Sequence, residues 1–193
     1  EGDYINLVIN SVLQNLLMGA VLAIIILFLF LRDIKPTLIV ACSIPISVVF
    51  AIVLMYFSGV TLNMISLSGL AIGVGMLVDN SVVVIENIYR LRSMGVSPIK
   101  AALNGARQVA GAITASTLTT VCVFLPIVFV EGITRQLFVD LALTVTYSLL
   151  ASLIVALTLV PAMGQRILRK MKPNSAPKDG KIKKAYERSL RFV

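Results

Sequence analysis

Long apolar stretches alternate with short polar segments along the chain, and this alternation predicts five membrane-spanning helices. The apolar stretches cover residues 12–31, 37–57, 62–88, 106–130 and 137–162. Each is about the 20 residues that a helix needs to cross the hydrocarbon core of a bilayer. The segments between them contain Gly, Pro and charged residues, which mark loops and helix starts. We therefore expect an all-α integral membrane protein with a bundle of five transmembrane helices.

The pattern divides the chain into three regions. Residues 1–11 are predicted to form an extracytoplasmic lead-in helix, residues 12–165 the five transmembrane helices, and residues 166–193 a basic cytoplasmic linker with a short amphipathic helix. Pro45 and Pro126 fall inside predicted helices and are expected to kink them. Because the chain begins without Met, we expect it to be a piece of a longer protein.

Composition indicates a membrane environment, and the distribution of charge indicates how the chain is oriented in it. The chain is 58% hydrophobic and 13% charged, whereas about a quarter of the residues in a soluble domain are charged. All the Lys and Arg residues except Arg135 fall on one side of the predicted membrane. The positive-inside rule makes that side cytoplasmic, so the N-terminus is expected outside and the C-terminus inside. The basic tail suits anionic lipid headgroups, and without interleaved aromatic residues it does not indicate a nucleic-acid partner.

Few residue types that could carry chemistry are present. The chain has no His, and Cys42 and Cys122 lie singly in apolar stretches, where they act as small hydrophobic side chains. The sequence also has no Gly-rich phosphate loop and no Ser/His/Asp set. We therefore expect no metal, no cofactor and no enzymatic activity. Any ionic chemistry must come from carboxylates.

Two acids lie inside the third apolar stretch, in "GMLVDNSVVVIEN". A charged side chain at the bilayer centre costs about 2.5–3.5 kcal/mol or more, so such residues are usually functional. Asp79 and Glu86 are seven positions apart, about 700° of helical rotation, and should share one face. Ser66, Gly69 and Gly73 form a stripe of small residues that would let another helix approach closely. We expect the acids to lie on this packing face, with Asp79 pointing into the bundle.

Each polar feature also has a simpler interpretation. Glu86 fits either an interfacial carboxylate or a direct role in transport, and Asp79 could be a structural hydrogen-bonding group. Asp140 is expected to be an interfacial residue. The hydroxyl-rich segment 113–120, "ITASTLTT", fits either helix packing or the lining of a hydrated path.

Several segments resemble one family of transporters. "GLAIGVGMLVDNSVVVIENIYR" resembles the fourth transmembrane helix of resistance–nodulation–division (RND) permeases, in particular the hydrophobe/amphiphile branch that exports drugs. "FLFLRDIKPTLIVACSIPISVV" is similar to the end of the second helix, a turn and the third helix. "LALTVTYSLLASLIVALTLVPA" is similar to the sixth helix, and "YERSLRFV" to the lead-in to the seventh. The five predicted helices thus correspond to helices two to six of the first half of the transporter.

The resemblance implies a proton-driven antiporter in the bacterial inner membrane. Such a transporter would be a homotrimer with a membrane-fusion adaptor protein, and large extracytoplasmic domains outside this chain would bind amphiphilic small molecules. The acid at the Asp79 position would take up a proton from outside and release it inside, with a Lys and hydroxyl residues from the second half responding to its charge. Many drug exporters carry a second acid at the next position, where this chain has Asn80. The proton relay would therefore consist of Asp79, the Asn80 position and Glu86, without two adjacent acids.

Rival functions come from other classes of membrane protein. An intramembrane aspartyl protease would need a GxGD motif, but in "GVGM" Met76 stands where the catalytic acid belongs. A lipid-sensing or receptor protein, or a protein-translocation accessory, would use the same helical core as the transporters. These last two remain as alternatives.

Overall fold

The computed structural model describes residues 2–31, 33–61, 63–129 and 131–170. These residues form five α-helices, followed by a short 3₁₀-helix at Leu168–Lys170. The α-helices are α1 (Gly2–Leu31), α2 (Ile34–Phe57), α3 (Met64–Ser93), α4 (Pro98–Val128) and α5 (Ile133–Ile167). The described residues contain no strand, so the prediction of an all-α fold is confirmed. The predicted linker and amphipathic helix beyond residue 170 lie outside the described residues.

Four of the helices are long and apolar enough to cross a membrane, namely α2, α3, α4 and the part of α5 from Phe138 onward. The described apolar part of α1 is shorter and covers Leu17–Leu29. α1 continues without a break from Gly2 through the predicted lead-in segment. α2 and α4 continue through Pro45 and Pro126.

The starts of two helices are fixed by side chains that bind backbone groups. The Asn63 Oδ1 accepts hydrogen bonds from the backbone N–H groups of Ile65 and Ser66 at 2.9 and 2.8 Å, and the Ser66 hydroxyl accepts one from the Asn63 N–H. This reciprocal pair is a capping box at the start of α3. At the start of α2, the Asp33 carboxylate accepts a hydrogen bond from the Lys35 N–H at 3.1 Å.

The helices alternate in direction, so their connections lie at two ends of the bundle. The loops after α2 and α4 contain Gly59 and Gly132, and the loop after α3 contains Gly95. All three glycines have a positive φ, of 71°, 91° and 88° respectively, which residues with a side chain rarely adopt. We call the two ends of the bundle the Gly59 end and the Gly95 end.

α3 and α5 form the centre of the bundle and share its largest helix contact. α5 also contacts α2 and α4, whereas α1 packs more lightly on α2 and α3. The largest apolar cluster joins residues from all five helices toward the Gly95 end. Its fully buried members include Ile39, Val84, Ile85, Ile88 and Val160. Since α3 is held on several sides, its neighbours set the direction in which each of its side chains points.

Candidate functional site

The small residues of α3 face α5. A β-carbon added to Gly69 would lie 3.2 Å from the Thr144 β-carbon, and one added to Gly73 would lie 2.5 Å from the Ser148 β-carbon. Ser66, one turn before Gly69, is fully buried. Only a residue without a side chain therefore fits at Gly73 at this helix separation.

Asp79 does not lie on this packing face. It follows Gly73 by six residues, about 600° of rotation, which places it about 120° away around the helix. Asp79 and Glu86 are both exposed, and they share their face of α3 with Gly75 and Val83, which are exposed too. The prediction that the acids and the small residues share one face is therefore wrong. The two acids do share a face, and both remain exposed on it.

The Asp79 carboxylate borders a groove of about 430 Å³ between α1 and α3. The α1 wall includes Gly19, Ala20 and Ala23, whose small side chains leave space beside α3. The α3 wall includes Gly75, and a β-carbon added there would meet no atom within 4 Å. Among the described residues that line the groove, Asp79 alone is ionisable. The carboxylate therefore lies among apolar side chains, with no basic residue in the described lining.

Asn80 points the other way, into the junction of α3, α4 and α5. Its side chain is 8% exposed, and its Nδ2 donates hydrogen bonds to Thr117 Oγ1 of α4 and Ser152 Oγ of α5, both at 3.3 Å. Thr117 and Ser152 are themselves buried. Adjacent residues of α3 therefore have different surroundings, because Asp79 faces an open groove and Asn80 faces a closed polar junction. The partners of Asn80 could not be identified from the sequence.

In the segment 113–120 the structure supports the helix-packing interpretation for one residue. Thr117 is buried and binds Asn80, which is a packing role. Thr119 and Thr120 point outward, and their hydroxyls donate to the carbonyls of Ala115 and Ser116 in their own helix.

Ser81 connects α3 to α2 at the same level. The Ser43 hydroxyl of α2 lies 3.1 Å from the Ser81 hydroxyl, within hydrogen-bonding distance, and both residues are buried. Polar contacts from residues 80 and 81 thus reach all three of the helices α2, α4 and α5. This part of α3 is held on every side except the one that Asp79 occupies.

A second polar group lies toward the Gly95 end, next to Glu86. Asn87 is buried, and its Nδ2 donates to the Gly105 carbonyl at 2.9 Å and to Gln108 Oε1 at 3.0 Å, both on α4. Its Oδ1 accepts a hydrogen bond from the Arg90 guanidinium at 2.8 Å. Glu86 itself points to the exposed face of α3. Sequence reasoning singled out Glu86 and missed Asn87, although a buried amide beside a glycine on the next helix is the stronger structural link.

Two charged side chains hold the Gly95 end together. The Asp33 carboxylate accepts a hydrogen bond from the Tyr89 hydroxyl at 3.1 Å, which connects the start of α2 to the end of α3. Arg92 is 5% exposed and donates to the backbone carbonyls of Leu168 and Val96, at 3.2 and 2.6 Å. Arg92 therefore satisfies carbonyls beyond the ends of α3 and α5. The sequence places Asp33 and Arg92 near predicted loops, but it does not identify the groups to which they bind.

Asp140 has a partner at the Gly59 end. Its Oδ2 accepts a hydrogen bond of 2.6 Å from the Nδ2 of Asn63, the residue that caps α3. This bond joins the start of α3 to the first turns of α5. Asp140 is partly buried and has a structural contact in addition to its expected position near the interface.

The described residues do not form a metal site, since nowhere among them do three or more His, Cys, Asp or Glu side chains come together. Cys42 is half-buried in α2 and Cys122 is exposed on α4, and neither forms a disulfide.

Comparison with known proteins agrees with the motifs in α3. The sequence model that describes the AcrB/AcrD/AcrF family matches residues 1–193, the whole chain. The chain is 36% identical over 187 residues to the multidrug resistance protein MdtC of Pectobacterium carotovorum, which covers 93% of this chain and 18% of that protein. It is 37% identical over 194 residues to the swarming motility protein SwrC of Bacillus subtilis, covering 96% of this chain and 18% of that protein. The chain thus spans less than a fifth of the length of these relatives.

These matches extend over nearly all of the chain, and they agree with the apolar helices that the structure shows. Together the matches and the apolar helices support a multi-pass membrane protein. The chain belongs to the AcrB/AcrD/AcrF family of resistance–nodulation–division permeases.

Proposed function

We propose that this chain is the membrane part of a proton-driven efflux transporter and that Asp79 is its intramembrane proton carrier. Several relatives are named multidrug resistance proteins, which supports export of amphiphilic small molecules. Because the chain covers 18% of such a relative, the working unit would be a longer protein. The remaining length would supply the second half of the helical core and the substrate-binding domains, in a homotrimer that contacts a membrane-fusion adaptor.

The position of Asp79 is the observation that carries this proposal. Asp79 lies at the middle of the 30-residue α3, so a membrane-spanning α3 places the carboxylate near the bilayer midplane. It points into a groove whose other lining residues cannot ionise. An acid at this depth is costly unless a partner or water reaches it. The uncovered face of α3 leaves Asp79 accessible to such a partner, which in the longer protein would come from the second half.

Protonation would change the energy of the groove. The charged carboxylate favours an arrangement in which water or a cation reaches Asp79, and the neutral acid favours closure of the apolar groove around it. A change of charge at one residue can in this way bias a two-state packing arrangement. We propose that Asp79 takes up a proton from outside in one arrangement and releases it to the cytoplasm in the other.

Orientation and the second acid complete the proposed path. The basic residues near the Gly95 end, among them Arg90, Arg92 and Lys100, favour a cytoplasmic position for that end. Glu86 lies on the same face as Asp79 and about 10 Å further toward the Gly95 end, at 1.5 Å per residue. It is therefore suitably placed to pass a released proton toward the cytoplasmic surface.

The test replaces Asp79 by Asn in the full-length transporter. Asn keeps the size of the side chain but cannot change charge, so Asp79→Asn should abolish energised dye efflux while the membrane level and trimer assembly stay normal. Glu131→Gln is the matched control, because it removes the same charge from an exposed loop position and should pump normally. Efflux by Asp79→Asn at the wild-type rate would refute the proton-carrier role.

Two further measurements separate the alternative functions. A wild-type protein that changes conformation with lipid composition, but does not couple a proton gradient to efflux, would favour a lipid-sensing protein. Loss of protein export with unchanged drug susceptibility on deletion of the gene would favour a translocation accessory.

A further inference from the structure

We propose that Asn80 is a positioning residue that fixes the rotation of α3 about its own axis and thereby the direction of the Asp79 carboxylate. This inference rests on the proposed function of Asp79. It assigns to the position of the second family acid a role that does not involve a change of charge.

The hydrogen bonds of Asn80 resist rotation of α3 about its own axis. One Nδ2 group donates both of its hydrogens, to Thr117 on α4 and to Ser152 on α5. Because the two acceptors lie on different helices, turning α3 in either direction lengthens at least one bond. All three residues are less than 9% exposed, so water cannot readily replace a broken bond, and a buried polar group left without a partner is destabilising.

The direction of Asp79 follows from that of Asn80. Successive side chains on an α-helix are about 100° apart, so fixing residue 80 also fixes residue 79. Gly73 permits the close approach of α3 to α5 alone, whereas the bonds of Asn80 reach both α4 and α5. The Asn80 junction therefore holds Asp79 toward the groove beside α1.

An amide suits this role better than an acid would. The amide is neutral at every pH, so its bonds to the two hydroxyls stay the same while Asp79 gains or loses a proton. On the sides that face this pair, α4 and α5 contribute hydroxyl groups, and α1 contributes apolar groove residues. Glu86 is the other acid on the exposed face of α3. The hydrogen bonds that join α3 to α4 and α5 are thus the same in both charge states of Asp79.

The test uses a mutant cycle in the full-length transporter. One variant is Asn80→Leu, the second is the double variant Thr117→Val/Ser152→Ala, and the third combines all three changes. The measurement is dye efflux per transporter molecule as a function of external pH, with the amount of protein in the membrane quantified for each variant. The matched control is Thr119→Val/Thr158→Val, which removes hydroxyls from the same two helices at exposed positions where they bond within their own helix.

We expect Asn80→Leu and the double variant each to shift the pH of half-maximal efflux by about half a unit or more. The triple variant should shift it no further than the larger of the two, because all the changes remove the same pair of bonds. The control should keep the wild-type profile. The triple variant, in which Leu, Val and Ala replace the three polar residues of the junction, keeps the test valid if Asn80→Leu alone folds poorly.

Two results would overturn the inference. One is an unchanged pH profile per molecule with only a lower amount of protein, which indicates a purely structural role. The other is additive shifts in the triple variant, which would show that Asn80 does not act through the two hydroxyls. If Asp79→Asn abolishes efflux while these variants keep the wild-type profile, only the role of Asn80 fails. If Asp79→Asn still pumps, the proposed function itself fails.

Discussion

Gly73 of α3 and Ser148 of α5 are in such close contact that a β-carbon on Gly73 would lie 2.5 Å from the Ser148 β-carbon and 2.8 Å from its hydroxyl oxygen. The nearest of these atoms is close to the α5 backbone and cannot rotate away. The separation of α3 and α5, the central pair of the bundle, therefore depends on the absence of a side chain at Gly73. Close approach through small residues is a common way for membrane helices to pack.

Gly73→Ala should consequently destabilise the protein, and Gly73→Leu should disrupt it. Overpacking of this kind costs about 1–3 kcal/mol, more than the roughly 1 kcal/mol that Ala gains over Gly in a helix. Gly75→Ala is the control, since its β-carbon would meet nothing within 4 Å, and it should be neutral or slightly stabilising. Thermal denaturation of the purified variants measures the difference. Equal stability of Gly73→Ala and the wild type would show that α3 and α5 lie further apart than in this structure.

The helices themselves could be predicted from hydropathy, because long apolar stretches separated by Gly, Pro and charges leave few other possibilities. The side of α3 that meets each neighbour could not. Small residues occur all around α3, at Gly69 and Gly73 as well as at Gly75, and in a membrane helix the pattern of apolar residues does not distinguish a packed face from an exposed one. The error on Asp79 has a different origin, because the six residues from Gly73 to Asp79 correspond to about 600° of helical rotation. Simple rotation from Gly73 would have placed Asp79 on another face.

The contacts of Asn80 illustrate the other limit of sequence reasoning. Its position beside Asp79 was noted from the sequence, but its partners Thr117 and Ser152 are 37 and 72 residues away. Only the packing of α3 between α4 and α5 brings these groups together. The role of a polar residue such as Asn80 thus requires a three-dimensional structure before it can be assigned.

The bond between Asn63 and Asp140 should contribute to stability at the Gly59 end. Asp140→Ala removes the closer of the two acceptors of the Asn63 Nδ2 group, the other being the Thr61 hydroxyl at 3.5 Å, and should lower the free energy of unfolding by about 1–3 kcal/mol. Asp140→Asn keeps an oxygen in the same place and should lose clearly less. Thermal denaturation of the two variants provides the comparison. Equal losses would mean that the negative charge of Asp140, rather than its hydrogen bond, supports the fold.

The proposed orientation can be tested with single cysteines. Gly59 and Gly132 are poor positions because of their positive φ angles, so Ser58→Cys and Glu131→Cys are better probes of the Gly59 end. Met94 is 62% exposed, so Met94→Cys is a suitable probe of the Gly95 end. The background for all three carries Cys42→Ala and Cys122→Ala.

A membrane-impermeant maleimide should label the first two cysteines in intact cells and the Met94→Cys variant only after the inner membrane is opened. The reason is that the basic residues cluster at the Gly95 end, which the positive-inside rule makes cytoplasmic. Labelling of Met94→Cys in intact cells would reverse the proposed direction of proton movement relative to α3.

Glu86 allows a graded test of the path along the exposed face of α3. It lies two turns from Asp79 on the same exposed face and nearer the basic end, where water and headgroups make a charge less costly. Glu86→Gln should therefore reduce efflux only about two- to fivefold, unlike the complete loss expected for Asp79→Asn. Glu86→Asp, which keeps the charge on a shorter side chain, is the control and should retain more activity than Glu86→Gln. A rate equal to wild type would identify Glu86 as an interfacial carboxylate outside the path. A complete loss would make it a second obligatory carrier, and protons would then have to pass both acids in sequence along one face of the helix.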